Sequence, residues 1–236
     1  YKKSNKERKA KLLAKWGYKS QEAYFDAIGV PTKGAVPKKT TPVKKTTSKP
    51  SKEVEKSTDY VIAFDCTGSM SSYIGSVKKH VEELINDLFD KSNDLNMKIV
   101  AFGDYCDAPN GAAGGNLGKA YQVIELTDDR KALVNFVKNS HNTGGGDADE
   151  FYELVIKKIN EETKWRDGNR AVLLIGDCEP HSPGYSYAGI KYQIDWKNEA
   201  REAKRLGIQY DTLKIIPHNK LYNKLSQITG GVSMDF

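Results

Sequence analysis

One recurring pattern dominates the sequence: short, continuous apolar runs alternate with segments of helical periodicity. The clearest run, Tyr60–Phe64, has no charged residue and fits a strand that is buried on both faces of a sheet. The segment after it repeats apolar residues every three or four positions, which predicts an amphipathic helix. These residues are Ile74, Val77, Val81, Leu84, Ile85 and Leu88. The pattern restricts this part of the chain to an α/β fold.

The alternation continues through the rest of the chain. Further strands are predicted at Met97–Phe102, Tyr121–Leu126, Ala171–Ile175, Ile208–Leu213 and Val232–Phe236. Helices are predicted at Ala132–Val137, Phe151–Ile159, Ile194–Arg205 and Leu221–Ile228. Repeated strand–helix units predict a doubly wound, mostly parallel six-stranded sheet with helices on both faces. Ligands of such sheets bind at the carboxyl ends of the strands, near the point where the strand order reverses.

Residues 1–58 differ in composition from the rest of the chain. They hold 16 Lys and Arg against 5 Asp and Glu, a net charge of +11, whereas residues 59–236 hold 21 against 26, a net charge of −5. Residues 1–30 are predicted to form a short helical docking segment, and residues 31–58 a Lys/Thr/Pro-rich linker. The result is a basic N-terminal arm attached to an acidic domain at 59–236. Such an arm suits an acidic protein surface or nucleic acid as a partner.

Composition also limits the cellular setting. Hydrophobic residues make up 38% of the chain, and no apolar run approaches the roughly 18–20 residues of a membrane-spanning helix. The first residues carry no apolar stretch, so no secretory signal is expected. Three cysteines are too few for a disulfide framework and favour a reducing environment. We therefore expect no membrane partner and an intracellular, cytoplasmic location, within a large assembly.

The loop after the first predicted strand carries the most distinctive chemistry. It reads Asp65-Cys66-Thr67-Gly68-Ser69, which places a carboxylate and two hydroxyls at every second position. Three oxygen ligands on one turn suit a hard cation such as Mg²⁺. Because the hydroxyls are neutral, a cation bound there would keep its attraction for an anionic ligand from outside.

This loop resembles the metal-ion-dependent adhesion site of von Willebrand factor A (VWA) domains, whose motif is Asp-x-Ser/Thr-x-Ser followed by a distant Thr and a distant Asp. The segment 141–147, His-Asn-Thr-Gly-Gly-Gly-Asp, resembles the threonine loop, with Thr143 as the ligand. The segment 174–181, Leu-Ile-Gly-Asp-Cys-Glu-Pro-His, resembles the strand that ends in the second Asp, here Asp177. The sequences of these two segments are most similar to those of intracellular VWA proteins, such as those linked to alpha-kinases. Three motifs in the right order make the resemblance specific.

The resemblance implies a set of metal ligands and a function. Thr67, Ser69 and Thr143 would contact the metal directly, and Asp65 and Asp177 directly or through waters. The metal would be Mg²⁺, with Mn²⁺ or Ca²⁺ as alternatives, and one position would remain for an Asp or Glu of a protein partner. The family's sheet has one short antiparallel edge strand. Its members are mostly adhesion or assembly modules, so we expect a non-enzymatic interaction module.

A surface beside the predicted metal is the candidate for contact with the partner. It comprises Tyr185, Tyr187, His181 and Asp147, although the tyrosines could equally pack beneath a helix. A zinc cluster is an alternative, because the three cysteines all fall near predicted strand ends, and His181 is near one of them. These cysteines are Cys66, Cys106 and Cys178.

Two other functions remain open on sequence grounds. The first is a scaffold that acts mainly through the basic arm, binding an acidic protein or nucleic acid. The second is a metal-dependent phosphotransferase of the haloacid dehalogenase type, in which Asp65 would be the nucleophile. That class has a second Asp where this chain has Thr67, and the chain has neither a Gly-Lys-Ser/Thr phosphate loop nor a Gly-x-Ser-x-Gly elbow.

Overall fold

The computed structural model describes residues 57–217 and 219–236. The strands, in chain order, are β1 (Ser57–Asp65), β2 (Leu95–Phe102), β3 (Tyr121–Thr127), β4 (Asp149–Glu150), β5 (Gly168–Gly176), β6 (Glu179–Pro180), β7 (Ser186–Tyr187), β8 (Ile190–Lys191), β9 (Ile208–Lys214) and β10 (Ser233–Asp235). The helices are α1 (Ile74–Lys91), α2 (Arg130–Asn139), α3 (Tyr152–Glu162), α4 (Trp196–Arg205) and α5 (Lys220–Thr229). Short 3₁₀ turns lie at Gly68–Ser72, Tyr105–Asp107, Pro109–Gly115 and Gly118–Ala120.

Six strands form the main sheet, in the order β10-β9-β5-β1-β2-β3. All neighbours are parallel except β2 and β3, which pair antiparallel at one edge. The strand order reverses around β1, so that β1 lies between β5 and β2. The structure confirms the predicted doubly wound sheet, including its single antiparallel edge strand.

The core explains why the apolar runs become strands. Along β1, Tyr60, Ile62 and Phe64 point to one face of the sheet, where they pack with apolar side chains of α1 and α2. Val61 and Ala63 point to the other face and pack with α3, α4 and α5. Because successive side chains of a strand alternate between faces, a strand covered on both faces is apolar at most of its positions.

The basic arm lies outside the described residues. This applies to the predicted docking segment at 1–30 and to the linker as far as residue 56. The strand β1 begins at Ser57, so the last two residues of the predicted linker belong to the sheet. Thr58 pairs with both Leu95 of β2 and Asn169 of β5.

Two small sheets were not predicted, and both flank the carboxyl edge of the main sheet. β4 pairs with β6 in parallel, with Asp149 opposite Glu179 and Glu150 opposite Pro180. β7 pairs with β8 as an antiparallel hairpin. Strands of two residues carry no periodicity, so hydrophobic patterning could not have revealed them.

Candidate metal centre

Three neighbouring strands deliver acidic side chains to one edge of the sheet. Asp65 is the last residue of β1, Asp104 lies just after β2, and Asp177 directly follows β5. Since these strands are parallel and adjacent, their carboxyl ends meet. The predicted metal ligands therefore gather where doubly wound sheets bind their ligands.

Asp65 organises the loop that follows it. Its Oδ1 accepts hydrogen bonds from the Thr67 backbone N–H at 2.7 Å and from the Thr67 hydroxyl at 2.6 Å. The side chain is fully buried, and burial raises the pKa of Asp65 to about 6, although hydrogen bonds from Thr67 and Tyr152 act to lower it. A carboxylate held in this way costs free energy unless a positive charge compensates it.

Hydroxyl groups continue the chain of contacts from β1 to β5. The Oγ atoms of Thr67 and Ser69 lie 3.2 Å apart, and the Ser69 hydroxyl donates to Asp177 Oδ1 at 3.0 Å. Cys178 Sγ lies 3.3 Å from the same carboxylate oxygen. Side-chain ligand atoms of Asp65, Asp177 and Cys178 all lie within 4.8 Å of one another, close enough to share one metal ion.

The threonine loop is held against the Asp65 loop by backbone hydrogen bonds. The Thr143 N–H donates to the Cys66 carbonyl at 2.9 Å, and the Gly68 N–H donates to the Gly144 carbonyl at 3.0 Å. Asp107 supports the loop from behind by accepting hydrogen bonds from the N–H groups of Gly144 and Gly145. The Thr143 hydroxyl oxygen is buried and has no hydrogen-bond partner. A bound cation would satisfy this otherwise orphaned oxygen.

Tyr152, which sequence reasoning missed, connects the two predicted acidic ligands. Its hydroxyl donates to Asp65 Oδ2 at 2.5 Å and accepts hydrogen bonds from the N–H groups of Asp177 at 3.2 Å and Cys178 at 3.4 Å. A Cβ atom at Gly176 would lie 2.0 Å from this hydroxyl, so only glycine leaves room for it. The first residue of a helix gave no hint of this role, because the contact spans 87 positions in the sequence.

Glu150 is a second residue that the motifs did not include. It is 2% exposed, and its Oε2 is buried without a hydrogen-bond partner. Burial, followed by the charge of Asp65, raises the pKa of Glu150 to about 9. The only available signal was its position three residues after Asp147 in the threonine-loop segment. Together with Ser69 and Asp177, Glu150 lines an open cleft of about 630 Å³.

The four residues predicted to contact a partner occupy different environments. His181 is 2% exposed, and its Nε2 lies 2.6 Å from Asp104 Oδ1. Burial opposes the charged imidazolium, but the hydrogen bond to Asp104 and its charge outweigh burial and raise the pKa of His181. Tyr185 stacks on His181 with ring centroids 3.7 Å apart and donates to the exposed Asp147 at 3.0 Å. Tyr187 is 38% exposed, so its aromatic ring is the more accessible of the two tyrosine rings.

The cysteines do not gather as a zinc cluster in the part of the chain that the structure describes. All three are free, and only Cys178 belongs to a group of side chains close enough to share a metal. Burial raises the pKa of the Cys66 and Cys106 thiols to about 12 each, and it also raises that of Cys178.

The residues present fit a hard divalent cation. Carboxylates and hydroxyls of Asp65, Thr67, Ser69 and Asp177 form one connected set, and Thr143 adds an unsatisfied hydroxyl from the adjoining loop. Oxygen-rich sites of this kind bind Mg²⁺, Mn²⁺ or Ca²⁺ in preference to softer metals. No helix among the described residues has the length and apolar character needed to cross a membrane.

Comparison with known proteins gives two matches. The family model of the von Willebrand factor type A domain matches residues 59–234, about three-quarters of the chain. A protein of Acanthamoeba polyphaga mimivirus, named as an ariadne-like RING finger protein, is 27% identical over 124 residues. That alignment covers 52% of this chain and 11% of the viral protein, so it concerns only a small part of the relative.

Proposed function

Since the chain belongs to the von Willebrand factor type A family, we propose that residues 59–236 form a non-enzymatic interaction module that captures a protein partner through a bound divalent cation. Domains of this family generally act as interaction modules rather than as catalysts. In the proposal, Mg²⁺ binds through Asp65, Thr67, Ser69, Thr143 and Asp177. An Asp or Glu of the partner completes its ligands, and the basic arm anchors the protein to a larger assembly.

The observation that carries the proposal is the connected set of oxygen donors at the carboxyl edge of β1 and β5. The Ser69 hydroxyl bridges from the Asp65 loop to Asp177 at 3.0 Å, and Ser69 itself is exposed on the cleft. The Thr143 hydroxyl has no other partner. The metal supplies an electrophilic point on the surface, and the residues of the chain supply the position and orientation of that point.

The surface around the cleft supports a protein partner. Tyr187 is exposed, and Tyr185 presents part of its ring beside the exposed Asp147. Aromatic side chains are enriched in the centres of protein interfaces because they bury a large area at small entropic cost. We assign Tyr185, Tyr187 and Asp147 to the contact surface, and His181 to the support of Tyr185 from beneath.

The proposal is tested by capture from native extract with the wild-type chain and Asp65→Ala, each with Mg²⁺ and with EDTA. We expect a partner that is retained only by the wild-type chain in Mg²⁺. Asp128→Ala is the matched control, because Asp128 is an exposed carboxylate in the turn after the antiparallel strand β3, at the opposite edge of the sheet. It should behave as wild type.

A direct measurement accompanies the capture. Isothermal titration with Mg²⁺ or Mn²⁺ should show one site in the wild-type chain and in Asp128→Ala, and none in Asp65→Ala. A partner that is retained in all four conditions would contradict the proposal and assign capture to another surface, such as the basic arm.

A further inference from the structure

Glu150 is the strongest feature of the metal centre that the family motif does not explain. Its side chain is 2% exposed, yet its Oε2 has no hydrogen-bond partner within the described residues. A buried carboxylate oxygen that lacks a hydrogen bond is costly, and native structures rarely keep one without a compensating group. The question is what this oxygen faces.

Geometry places the carboxylate beside the Asp65 and threonine loops. A Cβ atom built on Gly145 would lie 2.6 Å from Glu150 Oε1 and 3.4 Å from the Thr67 Cβ, so both side chains flank the same point of the loop. Glu150 lines the cleft with Ser69 and Asp177. Glu150 thus lies beside the loop that carries the proposed metal ligands Thr67 and Ser69.

The backbone at Glu150 is held in place by pairing rather than by packing alone. Glu150 belongs to β4, whose partner β6 begins two residues after Asp177. The next residue, Phe151, precedes α3 and is fully buried. The position of the carboxylate is therefore tied to the loop that carries the second acidic ligand.

Distances favour an indirect contact with the cation. Asp65, Asp177 and Cys178 form a group within 4.8 Å, and Glu150 is not a member of that group. A carboxylate just beyond the ligands of a Mg²⁺ ion accepts a hydrogen bond from a metal-bound water, since Mg²⁺ usually keeps several waters.

We propose that Glu150 is a further residue of the metal site, which accepts a hydrogen bond from a metal-bound water and thereby disfavours an external carboxylate at that position. The inference rests on the proposed function, because it needs a cation at the motif. Beside a bound cation the Glu150 carboxylate is ionised, so it adds a third negative charge to those of Asp65 and Asp177, and the occupied site attracts a partner's acidic side chain less strongly. In this way Glu150 lowers the affinity of the occupied site for an external carboxylate.

The test uses Mn²⁺ alone as the first probe, with the full chain. Glu150→Gln keeps the shape of the side chain and removes the charge, and Glu83→Gln removes one charge from an exposed position on α1. We expect Glu150→Gln to weaken Mn²⁺ binding by about tenfold or more, as loss of an outer hydrogen-bonding group commonly does. Glu83→Gln should bind as wild type, and Asp65→Ala should not bind.

Acetate is the second probe, added to each variant at saturating Mn²⁺ and followed through the relaxation of bound water protons. Acetate should displace water from Glu150→Gln at several-fold lower concentration than from wild type. Equal or weaker acetate binding would contradict the competition between Glu150 and an external carboxylate.

The outcomes separate the inference from the proposed function. Unchanged Mn²⁺ binding in Glu150→Gln, with binding lost in Asp65→Ala, would overturn the inference and leave the function standing. Binding that survives in Asp65→Ala would overturn the function. Urea unfolding without metal checks the fold: Glu150→Gln should stay close to wild type in stability, because Gln keeps the size and shape of the side chain and buries no charge.

Discussion

The candidate metal centre is built partly from single side chains that the motif does not contain. Tyr152 is the clearest case, since one hydroxyl contacts Asp65 Oδ2 and the backbone N–H groups of Asp177 and Cys178. This hydroxyl therefore links the two predicted acidic ligands directly. Metal affinity depends strongly on hydrogen bonds that orient the ligands.

Tyr152→Phe is predicted to lower Mg²⁺ or Mn²⁺ affinity by about 10–100-fold, because Asp65 loses the hydroxyl donor that orients its Oδ2 atom. The fold should persist with a loss of about 1–3 kcal/mol, because the Asp177 N–H loses its acceptor. Isothermal titration and urea unfolding measure the two effects.

The control for this prediction is Tyr210→Phe. Tyr210 is equally buried, and its hydroxyl donates to Asn160 Oδ1 at 3.1 Å, in the core beneath α3. This variant should lose stability and keep metal affinity. If both variants lose metal affinity to the same degree, the effect of Tyr152 is a general consequence of destabilisation.

Among the elements, two loops and two short strands assemble the centre. The Asp65 loop and the threonine loop are joined through Gly68 and Gly144, and β4 joins the loop after β5 through β6. The segment from Gly103 to Ala120, rich in small residues, contains three 3₁₀ turns. Tyr192 holds one of these turns by donating a hydrogen bond to the Gly111 carbonyl.

Gly68→Ala is predicted to weaken metal binding, because the new Cβ would lie 2.7 Å from the Gly144 carbonyl oxygen. A contact this short forces the threonine loop away from the Asp65 loop, and Thr143 moves with it. We expect at least a tenfold loss of Mn²⁺ affinity, comparable to the loss of an orienting hydrogen bond.

Gly75→Ala is the matched control, since Gly75 lies in the first turn of α1 and a Cβ there meets no atom within 4 Å. Alanine should raise the unfolding free energy by about 0.5–1 kcal/mol, because glycine loses more backbone entropy in a helix. Metal affinity should not change. Full metal affinity in Gly68→Ala would show that the two loops can separate without loss of the site.

Viewed as a whole, the chain divides its charge between two parts. Residues 1–58 carry a net charge of +11 and residues 59–236 a net charge of −5. An acidic domain with the proposed cation site would attract cations, whereas a basic arm attracts anions. We expect their interactions to respond differently to salt and to chelation.

Binding to an acidic surface through the arm is predicted to weaken steeply with salt, because it releases counterions, whereas capture through the metal should be nearly insensitive to salt and lost in EDTA. Deletion of residues 1–56 should abolish the salt-dependent binding and spare the EDTA-sensitive binding. Binding assays on heparin and on the captured partner measure the two. Salt-dependent binding that survives the deletion would show that the basic binding surface lies in the domain and not in the arm.

Sequence reasoning recovered the main sheet and the motif because both depend on local patterns. Short segments rich in apolar residues predicted all six strands, and the spacing of Asp65, Thr67 and Ser69 lies within one turn of the chain. Local patterns did not predict the two-residue strands β4 and β6, because pairing with a distant segment, not periodicity, defines them.

The sequence by itself determined the alternation of buried strands and amphipathic helices, the motif after β1 and the division of charge, since each is a property of neighbouring residues. Only the tertiary structure decided which groups meet at the centre. The Ser69–Asp177 contact spans 108 positions and the Tyr152–Asp65 contact 87. Such contacts arise from the order β5-β1-β2, which brings distant strand ends together. Burial of Glu150 follows from the same packing, because solvent exclusion depends on every surrounding element at once and leaves no trace in a local pattern.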